Sequence, residues 1–185
     1  MTTPLSSSLR CVAKPLLLLA AVATAPVRAD TADEVRLLVQ RGDHTAALQL
    51  AQKIADANPR DAQARFLHGV VLMDMGRDVD ALAVFGKLAQ LYPELPDPMN
   101  NIALLQARAG RLDEALAALQ AALRNDPGHR TARANLGQIH LMLALQAWER
   151  LAETGAMEPA VQRKLEAARA LVGMPSPAGA VAGSR

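Results

Sequence analysis

The chain has one cysteine, Cys11, inside an N-terminal segment laid out like a leader. Without that segment it can form neither an internal disulfide nor a thiolate metal site. Serine is nearly as scarce: beyond residue 29 it stands only at Ser176 and Ser184, which excludes a serine nucleophile on a rigid element. No strand pattern is evident and no glycine-rich loop follows one, so phosphate-cradling motifs are missing. The longest apolar run, "LLLLAAVATA" from Leu16 to Ala25, is shorter than the stretch of about 20 residues that spans a bilayer as a helix.

That run belongs to a three-part secretory layout, with Arg10 and Lys14 as the positive region and small residues at Val27 to Ala29 as the cleavage site. Cleavage after Ala25 is disfavoured by Pro26, so residues 1–29 are expected to leave and Asp30 to become the N-terminus, placing the protein in the periplasm. An uncleaved segment acting as a membrane anchor is the alternative. Lipid attachment at Cys11 fits poorly, because it precedes the apolar run. Removal takes away Arg10, Lys14 and Arg28 with no acid, so the net charge of +2 becomes −1. A clustered basic face for nucleic acid is not present.

The histidines, His44, His68, His129 and His140, have no ligand-spaced partners. Neither a metal nor a cofactor is expected. Asp113 and Glu114 are adjacent in a helix and so do not face each other; they suit the positive end of a helix.

What the chain does have is a period. Gly42, Gly76 and Gly110 step by 34 residues, as do Pro59, Pro93 and Pro127, and Ala47, Ala81 and Ala115. Three markers with one spacing define a repeat array. Within a unit, apolar residues fall at helical spacing: Leu67, Val70, Val71 and Met75 on one side of a first helix, and Leu82, Phe85, Leu88 and Leu91 on one side of a second. Glycine suits the left-handed backbone that ends a helix, and proline stops its continuation.

This unit resembles the tetratricopeptide repeat, a 34-residue helix–turn–helix. Gly69, Ala103 and Gly137 match its small eighth place, and the glycine, alanine and proline series match its turn, twentieth and closing places. The resemblance implies an all-α, right-handed α-solenoid with a C-terminal capping helix. Its units run 30–61 (degenerate), 62–95, 96–129 and 130–155 (atypical), followed by a capping helix over 156–172 and a disordered tail over 173–185.

Small residues then stand where backbones cross closely, and alanine adds helix propensity. The family's aromatic fourth place holds Thr31, Arg65, Met99 and Arg133, so packing is expected to be aliphatic. In the first unit Val35 replaces a small residue. In the fourth, Ala144 and Glu149 replace the turn glycine and the alanine, which predicts one long helix from about Thr131 to Glu153. A last helix over Glu158 to Val172 presents Val161, Leu165, Ala168 and Leu171 on one face, with Trp148 expected against it. Ala118 is placed on the outer face of its helix, opposite the closely packed Ala115.

In the family, first helices line a concave groove. Carried over by position, the resemblance assigns Arg36, Gln40, Phe66, Val70, Met73, Asn100, Leu104, Arg108 and Gln138 to that face. Phe66 and Met73 are unusual choices for a surface that meets only water. A carboxylate-gripping version of the groove is matched by Asn101 and Asn135, but Ala32 and Phe66 stand where its lysine would be. The function implied is a non-catalytic periplasmic adaptor for a protein or peptide partner, in envelope or cell-wall assembly, with no small-molecule substrate; a membrane is involved only if the leader is retained. The alternative is an inner-membrane-tethered subunit of a secretion or pilus machine.

Overall fold

In a computed structural model, the backbone of residues 27–155 and 157–173 is described, with side chains from Ala32 onward. Most of the leader and nearly all of the tail therefore lie outside the described residues. Among the described residues eight helices follow one another: α1 Val27–Gln40, α2 His44–Ala57, α3 Ala62–Asp74, α4 Asp78–Leu91, α5 Pro96–Arg108, α6 Leu112–Asn125, α7 Arg130–Glu153 and α8 Pro159–Leu171. Each packs on the helix before and after it, and α5 also packs on α7, as α1 does on α3. The architecture is an α-solenoid.

The 34-residue marker becomes a recurrent helix end. Gly76 has φ of 71°; its N–H donates to the Met73 carbonyl at 3.1 Å, and the next N–H, of Arg77, reaches back to Leu72 at 2.9 Å. This paired closure satisfies carbonyls that the helix leaves open and needs a left-handed residue. Gly42 and Gly110 repeat it. Ala144 cannot supply that backbone cheaply, and α7 runs on through it for 24 residues until Gly155, whose φ is 73°.

The eighth and twenty-fourth places of a unit meet across each hairpin, and their volumes compensate. Val35 faces a cluster containing Ala51, Gly69 faces Phe85, and Ala103 shares a cluster with Leu119. A large residue on one helix is matched by a small one on the other, as native packing density requires. The substitution of Val35 for a small residue is thus balanced by Ala51, both fully buried. The tightest pair is Gly69 and Phe85, where a methyl on the glycine would lie 2.6 Å from the ring. Gly137, at the same place in the fourth unit, meets nothing within 4 Å, because α7 does not turn back to bring a partner.

Vacated aromatic places are used differently from the aliphatic packing expected. At two of them, Arg65 and Arg133 donate to the carbonyls of Pro59 and Pro127, the closing prolines of the preceding units. Successive connections are also tied to each other: the Tyr92 hydroxyl donates to the Arg60 carbonyl at 2.6 Å, and the Asn125 amide to the Pro93 carbonyl. His129 caps α7 by accepting the Ala132 N–H at Nδ1, 3.0 Å. Its Nε2 then carries the proton and donates to Asp97, also at 3.0 Å.

Three placements differ from expectation. Leu91 is 52% exposed and Leu171 75% exposed, each at the last residue of its helix. Ala118 is half-buried and packs against the core around Leu119, as Leu50 and Val84 pack against theirs at the same place of their units; Ala117 is the exposed position. Trp148 joins Leu145, Leu165 and Ala168 between α7 and α8.

Candidate functional site

The first helices of the units, α1, α3, α5 and α7, carry the nine groove positions. Arg36, Gln40, Arg108 and Gln138 are exposed; Phe66, Val70, Met73 and Leu104 are half-buried. Asn100 is only 5% exposed, accepting the Asn135 amide N–H at 2.9 Å. That bond holds α5 to α7, and Asn101, at 8% exposure, is turned inward as well. The asparagines suggestive of a carboxylate grip are therefore engaged in packing between units.

Phe66, Val70 and Met73 rest on the core that contains Phe85, and the Phe66 ring lies 5.5 Å from the Phe85 ring at a tilt of 51°. Their exposed edges form an apolar strip, while their inner edges are structural. Leu104 is half-buried but belongs to none of the core clusters of the described residues. Charge on this side is partly balanced: Arg108 pairs with Asp78 at 3.2 Å, and Arg36 with Asp33.

At the C-terminal end the face deepens into a cavity of about 310 Å³ between α6, α7 and α8, lined by Leu112, Gln138, Met142, Leu145, Gln146, Glu149 and Val172. Only Gln138 among these was assigned from sequence. The missing glycine at Ala144 was the available signal for Leu145, Gln146 and Glu149, which a helix continuing past it adds to this end; Met142 lies before it, one 34-residue step from Arg108. Glu149 is held by Arg169 from α8 at 3.1 Å.

The histidines are not brought together, and among the described residues no group of three or more His, Cys, Asp or Glu side chains could hold a metal ion. Burial holds the His68 imidazole below its ordinary value, against Asp56, which raises it, and with Arg77, which lowers it further. The folded state therefore binds protons less readily than the unfolded chain, and stability falls as pH drops below about 6.5. It is whole above that value and lost across the window down to the lowered one. Replacing His68 with Gln should flatten this slope in urea unfolding at pH 5 and pH 7.5. An unchanged slope would assign the acid sensitivity to another group.

A stack of helical hairpins with an apolar inner face defines a helical-repeat interaction protein. The family profile described as Tetratricopeptide repeat matches residues 32–96 and 100–153, and the chain belongs to that family. A curated human relative, Superkiller complex protein 3, is 28% identical over 109 residues, 59% of this chain and 7% of that protein, so the chain spans a small fraction of it. Similar solved structures include the first repeat domain of Spaghetti (RPAP3) bound to the HSP90 peptide SRMEEVD, with TM-score 0.56, 16% identity, and coverage of 63% of this chain and 92% of that one. The tetratricopeptide protein YrrB, described as having an unusual peptide-binding site, has TM-score 0.53, 26% identity, and coverage of 57% and 54%. The Yersinia enterocolitica chaperone SycD, in complex with a peptide of the translocator YopD, has TM-score 0.53, 16% identity, and coverage of 79% and 95%.

Proposed function

We propose that this chain is an exported, non-catalytic adaptor of the bacterial periplasm that holds a segment of a partner protein along its inner face, in the service of envelope or cell-wall assembly. The observation that carries the reading is the apolar strip of Phe66, Val70, Met73 and Leu104, leading into the cavity beside Gln138 and Met142. Interfaces centre on apolar anchors that exclude water, and similar structures carry peptides. The leader layout around Arg10, Lys14 and Leu16 to Ala25 supports export; intact mass of the envelope-fraction protein should give Asp30 as its first residue. A retained leader would favour the tethered alternative.

A photo-crosslinking residue at Gln40 or Gln138 should capture the partner from envelope fractions, while one at Gln90 or Gln120, exposed on α4 and α6, should not. With the partner in hand, Leu104→Ser should weaken binding by about 2 kcal/mol, the scale of a hot-spot loss, at a cost in stability of about 1 kcal/mol that leaves the chain folded. Phe66→Ser is a poorer probe than its inner-face position alone suggests, because it also removes the contact with Phe85. Normal binding by Leu104→Ser would place the interface elsewhere.

A further inference from the structure

A second recess lies on the other side of α3. Arg65 and His68 are turned away from Phe66 and Val70 by the helical period, and with Ala55, Asp56 and Pro59 of α2 and its connection, and Val84 and Lys87 of α4, they line a cavity of about 290 Å³. Arg65 is preorganised: its Nε donates to the Pro59 carbonyl at 2.7 Å, which restrains the guanidinium and leaves its terminal N–H groups outside that bond, and its side chain lines the recess. Lys87 has no ion-pair partner among the described residues. Against these two cations stands one carboxylate, Asp56, and His68 adds a further N–H donor.

We propose that this recess is a binding site for a single carboxylate, supplied by an acidic side chain of a protein partner, independent of the inner face. A fixed guanidinium fork recognises a planar oxyanion through two parallel hydrogen bonds, with the Lys87 ammonium on its other side. The charge count selects the class of ligand: with Arg77 already paired to Asp80, Arg65 and Lys87 against Asp56 leave a single positive charge, which one carboxylate neutralises. A phosphate dianion would leave excess negative charge beside Asp56 unless His68 took up a proton, and burial opposes that protonation. The carbonyls at the end of α2 occupy the Arg65 Nε alone. The groups facing His68 are Asp56 from α2, Arg65 from its own helix, Arg77 from the turn after α3, and Lys87 from α4.

The test uses His68 as reporter in the full chain labelled with ¹⁵N-histidine, titrated at pH 7.5 with N-acetyl-glutamate amide, and in separate arms with inorganic phosphate and with sodium chloride at matched ionic strength. The site predicts a saturable shift of the His68 ring resonances by the glutamate derivative, at least threefold weaker in Lys87→Gln and tighter in Asp56→Asn. Lys87 is exposed, so its substitution leaves the fold in place, which circular dichroism confirms. Shifts equal to those with chloride, or unchanged affinity in Lys87→Gln, would show that these cations only serve the end of α2 and would overturn the proposal. Tighter binding of phosphate than of the glutamate derivative would overturn the assignment to a carboxylate.

Discussion

Gly69→Ala should destabilise the protein by about 1–3 kcal/mol, and adding Phe85→Leu to it should restore most of the loss. The methyl introduced at Gly69 would sit 2.6 Å from the Phe85 ring, and the ring is fully buried, so it cannot swing away. Overpacking of this kind forces side chains off their rotamers. Phe85→Leu alone leaves a void beside the glycine, at a cost on the order of 1 kcal/mol. Together, the two changes recreate the pair the next unit already uses, Ala103 with Leu119. The double variant should therefore be more stable than the sum of the single losses by a coupling of about 1 kcal/mol or more, as expected for residues in direct contact. Urea unfolding of the four proteins measures it. Gly137→Ala is the control: with nothing near it, alanine should be neutral or gain about 0.5–1 kcal/mol from helix preference. Simple additivity would mean that the hairpin volumes do not compensate.

Ala115→Leu should cost about 1–3 kcal/mol, whereas Ala117→Glu should stay within about 0.5 kcal/mol. Ala115 is fully buried where α6 meets its neighbours, as Ala47 and Ala81 are in theirs; such crossings leave no room for an isobutyl group. Ala117 lies two residues on and faces solvent. Both substitutions keep good helix formers, so propensity cannot explain a difference. Equal losses in denaturant midpoint at an unchanged slope would mean that the assigned register of α6 is wrong.

The repeat was legible because its markers are backbone requirements. A left-handed φ at Gly42, Gly76 and Gly110 admits few residues other than glycine, so the requirement shows in sequence as a spacing. The absence of one at Ala144 was informative for the same reason. Side-chain exchange between helices was less legible: Val35 is irregular by position alone and is balanced by Ala51 in the same buried cluster, since compensation is a property of pairs far apart in the chain. Ala118 lies at the place where Leu50 and Val84 are half-buried in their own units, a cover that alanine's small side chain does not announce. Leu91 and Leu171 fit a helical face by period, but each is the last residue of its helix, where period does not determine cover.

For the candidate site, position within the unit located the inner face, but not what each side chain spends its contacts on. Asn100 is consumed by Asn135, and Phe66 is shared with Phe85. The cavity at Met142, Leu145 and Val172 depends on α8 docking against α7, which no periodic marker encodes.

The central claim, that a partner lies along the first helices, is tested most directly by methyl chemical-shift mapping with the captured partner. The account predicts that the methyl groups of Met73, Leu104 and Met142 shift on binding, while those of Val79 and Leu91, exposed on α4, stay in place. Shifts at Val79 and Leu91 with Met73, Leu104 and Met142 unmoved would contradict it.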